Sequence, residues 1–455
     1  MVESLLSVGI DVGTTTTQMV LSRLMVDNRA SIFAVPELVI GKREILYRSP
    51  VHFTPLLGKD RVDGDQIRQL MTREYENAGI SRADVDTGAV IITGETSRKE
   101  NARAVLTALE GFAGDFVAAT AGPDLESTLA ARGAGAVEFS TETGKSVLHM
   151  DIGGGTSNLA WIEDGKILRT GCLNVGGRLL KFDKSGEITY ISPVLDGICD
   201  LKIGKRATQS QVQTVGRMLA QALAMAAGLE TPTHLLQKLW TAEAGTMWPD
   251  FPAAEVVSFS GGVADCIETE QDWLKFGDLG PVLGQQIRKS PLCAGGCRLG
   301  RETIRATVIG AGCHSVQLSG STVFYRDVAF PLKNRPVVCL TAQEQESPEL
   351  PQRSRELLAR QDEDAVLYLP GFAAPSYEQV AQLGRNIAEG FGQRPILVAL
   401  AADMAKALGQ SIALARTGTV LCMDRVALSE GSYLDVGTPV GPSLPVVVKT
   451  LILEQ

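Results

Sequence analysis

Two stretches of the chain set a carboxylate, a glycine and a cluster of hydroxyls or glycines in the same order. Gly9 to Leu24 reads GIDVGTTTTQMVLSRL and His149 to Glu163 reads HMDIGGGTSNLAWIE. Superposing Asp11 on Asp151 also aligns Thr16 with Thr156 and Gln18 with Asn158. A tight glycine turn points several backbone N–H groups one way, and the hydroxyls of Thr14, Thr15, Thr16 and Thr156 add donors. The turns beginning at Gly13 and at Gly153, Gly154 and Gly155 can therefore hold phosphate oxygens. A carboxylate next to such a turn would repel a polyphosphate directly. It fits if Mg2+ or its waters lie between, which makes Asp11 and Asp151 the candidate metal ligands. Two such turns facing each other would clamp a Mg-nucleotide from both sides.

The elements that must position these residues follow from the local pattern. In each copy an apolar strand ends at the Asp, turns, and leaves as a second strand, so both copies read as hairpins. The Asp164-Gly165 turn adds a third strand to the second copy and makes it a meander. After the first copy, DGDQIRQLMTREYENAGI places Ile67, Leu70, Met71 and Ala78 on one helical face, and GAVIITG is a buried strand. SRKENARAVLTALEGF follows as a helix with Ser97 and Glu100 at capping-box spacing. The second half carries a helix in QSQVQTVGRMLAQALAMAAGL, a buried strand ending in Gly261-Gly262 in EVVSFSGGVAD, and a small-residue helix in RETIRATVIGAGCHSVQL. Beyond Gly320, apolar strands and amphipathic helices alternate as in an open α/β sheet. The polar stretch TAQEQESPELPQRSRE reads as a surface loop or linker. The expected division is 1–145 and 146–320, two halves of one duplicated unit, and 321–455, an appended α/β domain.

A chain of 455 residues is long enough for roughly two to four domains. Its net charge of -9 offers no basic footprint for nucleic acid. Eight scattered cysteines suit a reducing compartment, as small apolar residues. The opening MVESLLSVGIDVG resembles neither a signal peptide nor a targeting helix. No apolar run reaches the ~20 residues needed to span a membrane. A soluble cytoplasmic protein with no nucleic-acid or membrane partner is expected. Cys293 and Cys297 with Cys313 and His314 lack the spacing of a zinc site. His149 is expected to be a packed histidine, the charges of GRLLKFDKSGEITY to be solvated, and Met218 to Gly228 to be core.

The duplicated stretches resemble the two phosphate motifs of the actin, sugar-kinase and heat-shock-chaperone ATPase superfamily. VVSFSGGVAD, Val256 to Asp265, is similar to its adenosine motif, in which Gly261 and Gly262 would let base and ribose lie against backbone. ESTLAARGAGA and RATVIGAGCHS resemble its two connecting helices, the second of which puts Gly310 among the expected nucleotide-site residues. The resemblance implies an α/β fold of duplicated ribonuclease H-like halves around a nucleotide cleft, binding ATP and Mg2+. It also gives Glu126, at the start of the first connecting helix, a role with Asp151 in positioning metal or attacking water. Asp124 is the alternative for that role, and Thr93 to Glu95 could approach the same site.

Across nearly the whole chain, LHMDIGGGTSNLAWIEDGKILRTGCLNVGGRLLKFD, SFSGGVADCIE, RATVIGAGCHSVQLSGST and GTPVGPSLPVVVKTLIL resemble the ethanolamine ammonia-lyase reactivating factors, the EutA family. That resemblance implies an ATP-dependent molecular chaperone whose partner is ethanolamine ammonia-lyase. It would drive release of damaged cobalamin, which belongs to the partner enzyme, so that intact adenosylcobalamin can bind. Residence in the cytoplasm, free or with the ethanolamine-utilisation microcompartment, goes with it. Related reactivases act with a separate small subunit, and one hypothesis gives 321–455 part of that helper role. Two other classes share the fold: a small-molecule kinase, which would need a catalytic Asp in a polar substrate cleft, and an actin-like filament or scaffold ATPase.

Overall fold

The computed structural model describes residues 3–13, 16–28, 38–57, 61–93, 105, 109, 112, 119–120, 123–241, 253–314, 316–320, 322–361 and 364–450. Strands β1 (Glu3–Val12), β2 (Thr16–Asn28) and β3 (Leu38–Arg48) form an antiparallel meander. β4 (Thr87–Ile92) and β5 (Ala119–Thr120) extend it in parallel from β1, giving the order β3-β2-β1-β4-β5. The second half repeats the plan. β6 (Val147–Ile152), β7 (Ser157–Glu163) and β8 (Lys166–Leu173) form the meander, and β9 (Val256–Ser260) and β10 (Cys297–Leu299) continue in parallel from β6. The order β8-β7-β6-β9-β10 is the first order over again. Twice-repeated antiparallel-then-parallel sheets are the duplicated actin-like, ribonuclease H-like architecture.

Sequence and burial agree in these sheets. β4 and β6 are buried at every position, as strands covered on both faces must be, and so are near-continuous apolar runs. The outermost β3 is mostly half-buried or exposed and carries Lys42, Arg43 and Glu44. The helix Gly64–Ala78 covers the first sheet with Ile67, Leu70 and Met71, capped by Asp63 accepting from Gln66 N–H and closed by Gly79 at φ 68°. The helix Gln209–Ala226 covers the second, starting at a Thr208/Gln211 capping box. The helix expected over 97–112 lies largely outside the described residues.

Helices α1 (Pro123–Gly133) and α2 (Ala306–His314) cross between the halves. A Cβ on Gly133 would overlap the Ala306 carbonyl oxygen, and one on Gly310 the Leu129 carbonyl oxygen. Gly312 meets Gly9 of β1 in the same way, and Ser7 Oγ donates to Gly312 O at 2.5 Å. Backbones approach this closely only where at least one of them carries glycine.

A third sheet has four parallel strands at its centre, Leu332–Cys339, Val366–Leu369, Ile396–Leu400 and Val420–Asp424. Antiparallel strands flank it, and its strand Val316–Leu318 lies just after α2. Val447 of this sheet packs with Leu5, Val20, Leu24 and α2 residues Val308 and Ile309. The stretch expected to be a loop after Thr341 is instead two helices, Ala342–Glu346 and Leu350–Ala359. A Thr341/Glu344 capping box starts the first, and Leu350, Ser354, Leu357 and Leu358 bury one face of the second. Cys293 and Cys297, expected to be free thiols, form a disulfide with Cα atoms 4.7 Å apart, inside the range a bridge can span. The other six cysteines take part in no disulfide among the described residues. Among the described residues no helix is long and apolar enough to cross a membrane.

Candidate functional site

The two meanders end in turns of one construction. Asp11 stands opposite Gln18 across β1 and β2, and Asp151 opposite Asn158 across β6 and β7. Gly13 N–H donates to Thr16 O at 2.9 Å, and Gly153 N–H donates to Thr156 O at the same distance. Both turns face one cavity of about 680 Å3, which Glu126, Gly261 and Gly262 also line. Thr14 and Thr15 lie outside the described residues, as do Gly94 and Glu95. Gly310 does not line the cavity; its place is the crossing of α1 and α2, where small size serves packing.

Burial dominates the electrostatics of the two aspartates. Asp11 Oδ1 accepts from Thr93 Oγ1 at 2.8 Å, which favours the carboxylate. Desolvation outweighs that bond, the negative Asp151 adds to it, and the Asp11 carboxyl is pushed up to about 7. Burial also raises Asp151, against hydrogen bonds from Ser260 Oγ and, at 3.3 Å, from Thr307 Oγ1. Ser260 is the strand partner of Asp151 on β9, so sheet register puts its hydroxyl there. His149, two residues before Asp151, is fully buried and lowered to about 3 by desolvation first and the Arg298 charge second. It is a neutral ring spanning Ser258 Oγ at 3.2 Å and Ser260 Oγ at 2.9 Å, a packed and bonded histidine as the sequence suggested.

Glu126 lies in the first turn of α1 and is buried, accepting from Asn158 Nδ2 at 2.7 Å. Asp124 is exposed, accepts from Thr170 Oγ1 at 2.5 Å, and stays out of the cavity. Of the two neighbouring acids only Glu126 reaches the cleft.

The donor set suits a hard cation. Gln18 Oε1 and Asn158 Oδ1 are buried without a hydrogen-bond partner, and both residues line the cavity beside Asp11, Asp151 and Glu126. All of these are oxygen ligands, the kind Mg2+ takes. Among the described residues no three His, Cys, Asp or Glu side chains converge into an all-protein metal site. Mg2+ bound by one or two carboxylates plus phosphate needs no such cage. The glycines suit a nucleotide: Gly261 has φ 87° and no room for a Cβ beside Ile152 O, and Gly176 packs directly on Gly154 O.

The sequence left several lining residues without a role. Arg178 and Lys181, expected to be solvated, line the cavity. Arg178 N–H donates to Gly154 O at 2.7 Å and Gly177 N–H to Gly153 O at 3.0 Å, which fixes this loop against the second turn. Arg178 Nε lies 3.4 Å from Asp278 Oδ2. Ser260 and Thr307 are brought in by strand register and helix crossing, and Asp278 by an isolated bridge to Lys181, for all of which the local sequence holds no signal. Gln18 and Asn158 did have one, their equivalence in the repeat.

Solved structures with similarity to this chain include ethanolamine utilization protein EutJ from Carboxydothermus hydrogenoformans, at 18% identity and TM-score 0.33, covering 69% of this chain and 92% of that one. A PPX-GPPA enzyme from Aquifex aeolicus is 14% identical at TM-score 0.36, covering 68% and 90%. The fold itself rests on the repeated strand order. The sequence relatives are far nearer. Ethanolamine ammonia-lyase reactivase EutA of Salmonella typhimurium and its namesake of Escherichia coli are each 38% identical over an alignment of 467 positions, covering 98% of this chain and 98% of theirs. The sequence model of the family described as ethanolamine utilisation protein EutA matches residues 3–454, and the chain belongs to that family.

Proposed function

We propose that this chain is a reactivase of ethanolamine ammonia-lyase and that it works by binding ATP with Mg2+ in the cleft between its two halves. The observation that carries the reading is the pair of equivalent turns, each with its own aspartate, on one cavity. Near-full-length identity to two reactivases supplies the partner.

In this reading the Gly13 and Gly153 N–H groups close the two turns, and the N–H groups and hydroxyls of Thr14, Thr15 and Thr16 hold phosphate oxygens from one side. The N–H groups of Gly154 and Gly155, with Thr156, hold them from the other. Gly261 and Gly262 offer bare backbone to base and ribose. Asp11 and Asp151 hold the metal, with the amide oxygens of Gln18 and Asn158 beside them. Bound Mg2+ would offset phosphate charge and polarise the terminal phosphoryl group. Glu126, held by Asn158, orients the attacking water and accepts its proton. The three parts, 1–145, 146–320 and 321–455, then act as two lobes that close on nucleotide and an appended domain that shares in meeting the lyase. Nucleotide-dependent closure gives the chain two states of different affinity for the lyase, and binding shifts that partner toward release of damaged cobalamin. No chemistry on the cobalamin is required of this chain. It would work in the cytoplasm, where the lyase microcompartment lies.

The test is recovery of activity from ammonia-lyase inactivated with cyanocobalamin, on adding this chain with ATP, Mg2+ and adenosylcobalamin. Recovery should require ATP and should vanish with Asp11→Ala. Recovery without ATP, or none from a folded chain that binds ATP, would overturn the mechanism.

A further inference from the structure

Among the described residues, five carboxylates line the cavity and only two cations, Arg178 and Lys181. A polyphosphate entering so acidic a site needs positive charge at its phosphate end beyond what one divalent ion supplies. Lys181 is exposed, its Nζ 5.3 Å above the Tyr190 ring. Arg178 is the inner of the two, with a side chain 28% exposed.

Its backbone is tied to the second turn. Arg178 N–H bonds Gly154 O, Gly177 N–H bonds Gly153 O, and the missing Cβ of Gly176 lets the two loops touch. The backbone that carries the guanidinium is thus bonded directly to the glycines of that turn. The guanidinium's contact with Asp278 runs from Nε to Oδ2 at 3.4 Å, and more than a quarter of the side chain stays accessible from the cavity. Asp278 is the fixed member of the pair. It is buried, and its Oδ1 accepts from Gly280 N–H at 2.9 Å at the start of the helix Gly280–Arg288.

We infer that Arg178 is a phosphate-binding residue of the cleft, held beside Asp278 and offering its guanidinium to the phosphate oxygens of a bound nucleotide. The inference rests on the nucleotide reading of the cleft. A planar fork can bond two phosphate oxygens at once, which an ammonium cannot. Asp278 competes with the ligand for the guanidinium, so the ion pair weakens phosphate binding while holding the side chain in place.

Calorimetric titration of the full chain with ATP, ADP and adenosine in Mg2+ tests this. Arg178→Ala should weaken ATP and ADP at least 10-fold and leave adenosine within 2-fold. Arg178→Lys should fall between the variant and wild type, and Asp278→Asn should tighten ATP. Equal weakening of all three ligands would show a collapsed loop and overturn the assignment, as would unchanged ATP binding by Arg178→Ala. Wild-type chain that binds no ATP would remove the nucleotide reading itself. Wild-type binding without a phosphate-dependent effect at Arg178 would remove only this inference.

Discussion

Asn158 donates from Nδ2 to Glu126 Oε2 at 2.7 Å, and the same Asn158 stands opposite Asp151 across the second hairpin. One residue therefore sets the distance between the α1 carboxylate and the β6 carboxylate. If Glu126 handles the proton of an attacking water, Glu126→Gln should lower the ATP hydrolysis rate by about 100-fold or more, the usual range for a positioned acid–base group. ATP affinity should stay within about 3-fold. Asn158→Ala should lower the rate by a smaller factor, by freeing Glu126. Steady-state hydrolysis beside calorimetric binding checks both, and loss of affinity matching the loss of rate would assign Glu126 to binding instead.

The buried aspartates and histidines pull stability in opposite directions with pH. Asp11 moves from an ordinary 3.8 to about 7, so the folded chain keeps a proton there that the unfolded chain has lost. Its contribution is full below about pH 4 and disappears as pH rises through 7. Asp151, also raised, acts in the same sense. His149 and His314, each lowered to about 3 by burial, contribute above pH 6.5 and lose that contribution as pH falls toward 3. At roughly 1.4 kcal/mol per pH unit, Asp11 offsets on the order of one histidine. Asp11→Asn removes the offset. In metal-free buffer its urea midpoint should drop more steeply than wild type between pH 6.5 and 4.5. Parallel profiles would mean that Asp11 titrates as an ordinary carboxyl.

What was legible in the sequence was local. The Asp-Gly-Thr/Gly pattern fixes both hairpins, and the duplication predicts that they share a cleft. Helical periodicity found Ile67, Leu70 and Met71 on their buried face. Contacts made across the chain were illegible. Arg178 reads as a surface charge because Asp278 is 100 positions away, and Ser260 and Thr307 meet Asp151 only through register and helix crossing. Gly310 was assigned to the nucleotide for its company in a motif, whereas its neighbour in space is Leu129. After Thr341 composition points to a loop where the chain forms two helices. The Gln, Glu and Ser of this stretch are polar and its prolines disfavour a helix interior, yet Thr341 and Glu344 have capping-box spacing and Leu350, Leu357 and Leu358 share one face.

That cap is open to measurement. Thr341 Oγ1 accepts from Glu344 N–H at 3.2 Å, and Glu344 Oε2 accepts from Thr341 N–H at 2.9 Å. Thr341→Ala should cost about 1 kcal/mol, the typical worth of an N-cap. Thr341→Ser should cost less than half of that. Chemical denaturation monitored by circular dichroism would show it, and an alanine variant as stable as wild type would mean that packing of the following helix alone holds the segment.

The helix crossing makes the last prediction. Gly133 faces the Ala306 carbonyl and Gly310 the Leu129 carbonyl, with backbone on both sides, so nothing flexible can yield to an added methyl. Gly310→Ala and Gly133→Ala should each destabilise by about 1–3 kcal/mol or more, the range for overpacking. Both should also force α1 and α2 apart, carrying Glu126 and Thr307 away from Asp151. Hydrolysis should fall even at temperatures where the variants remain folded. Gly262→Ala is the counterpart, since a Cβ there meets nothing within 4 Å and Gly262 lines the cavity. It should leave thermal stability within about 0.5 kcal/mol, the usual range for a substitution that disturbs no packing. Any effect it has should fall on nucleotide affinity. If Gly310→Ala proves as stable as Gly262→Ala, the two helices do not meet backbone to backbone, and the coupling of the halves must be sought elsewhere.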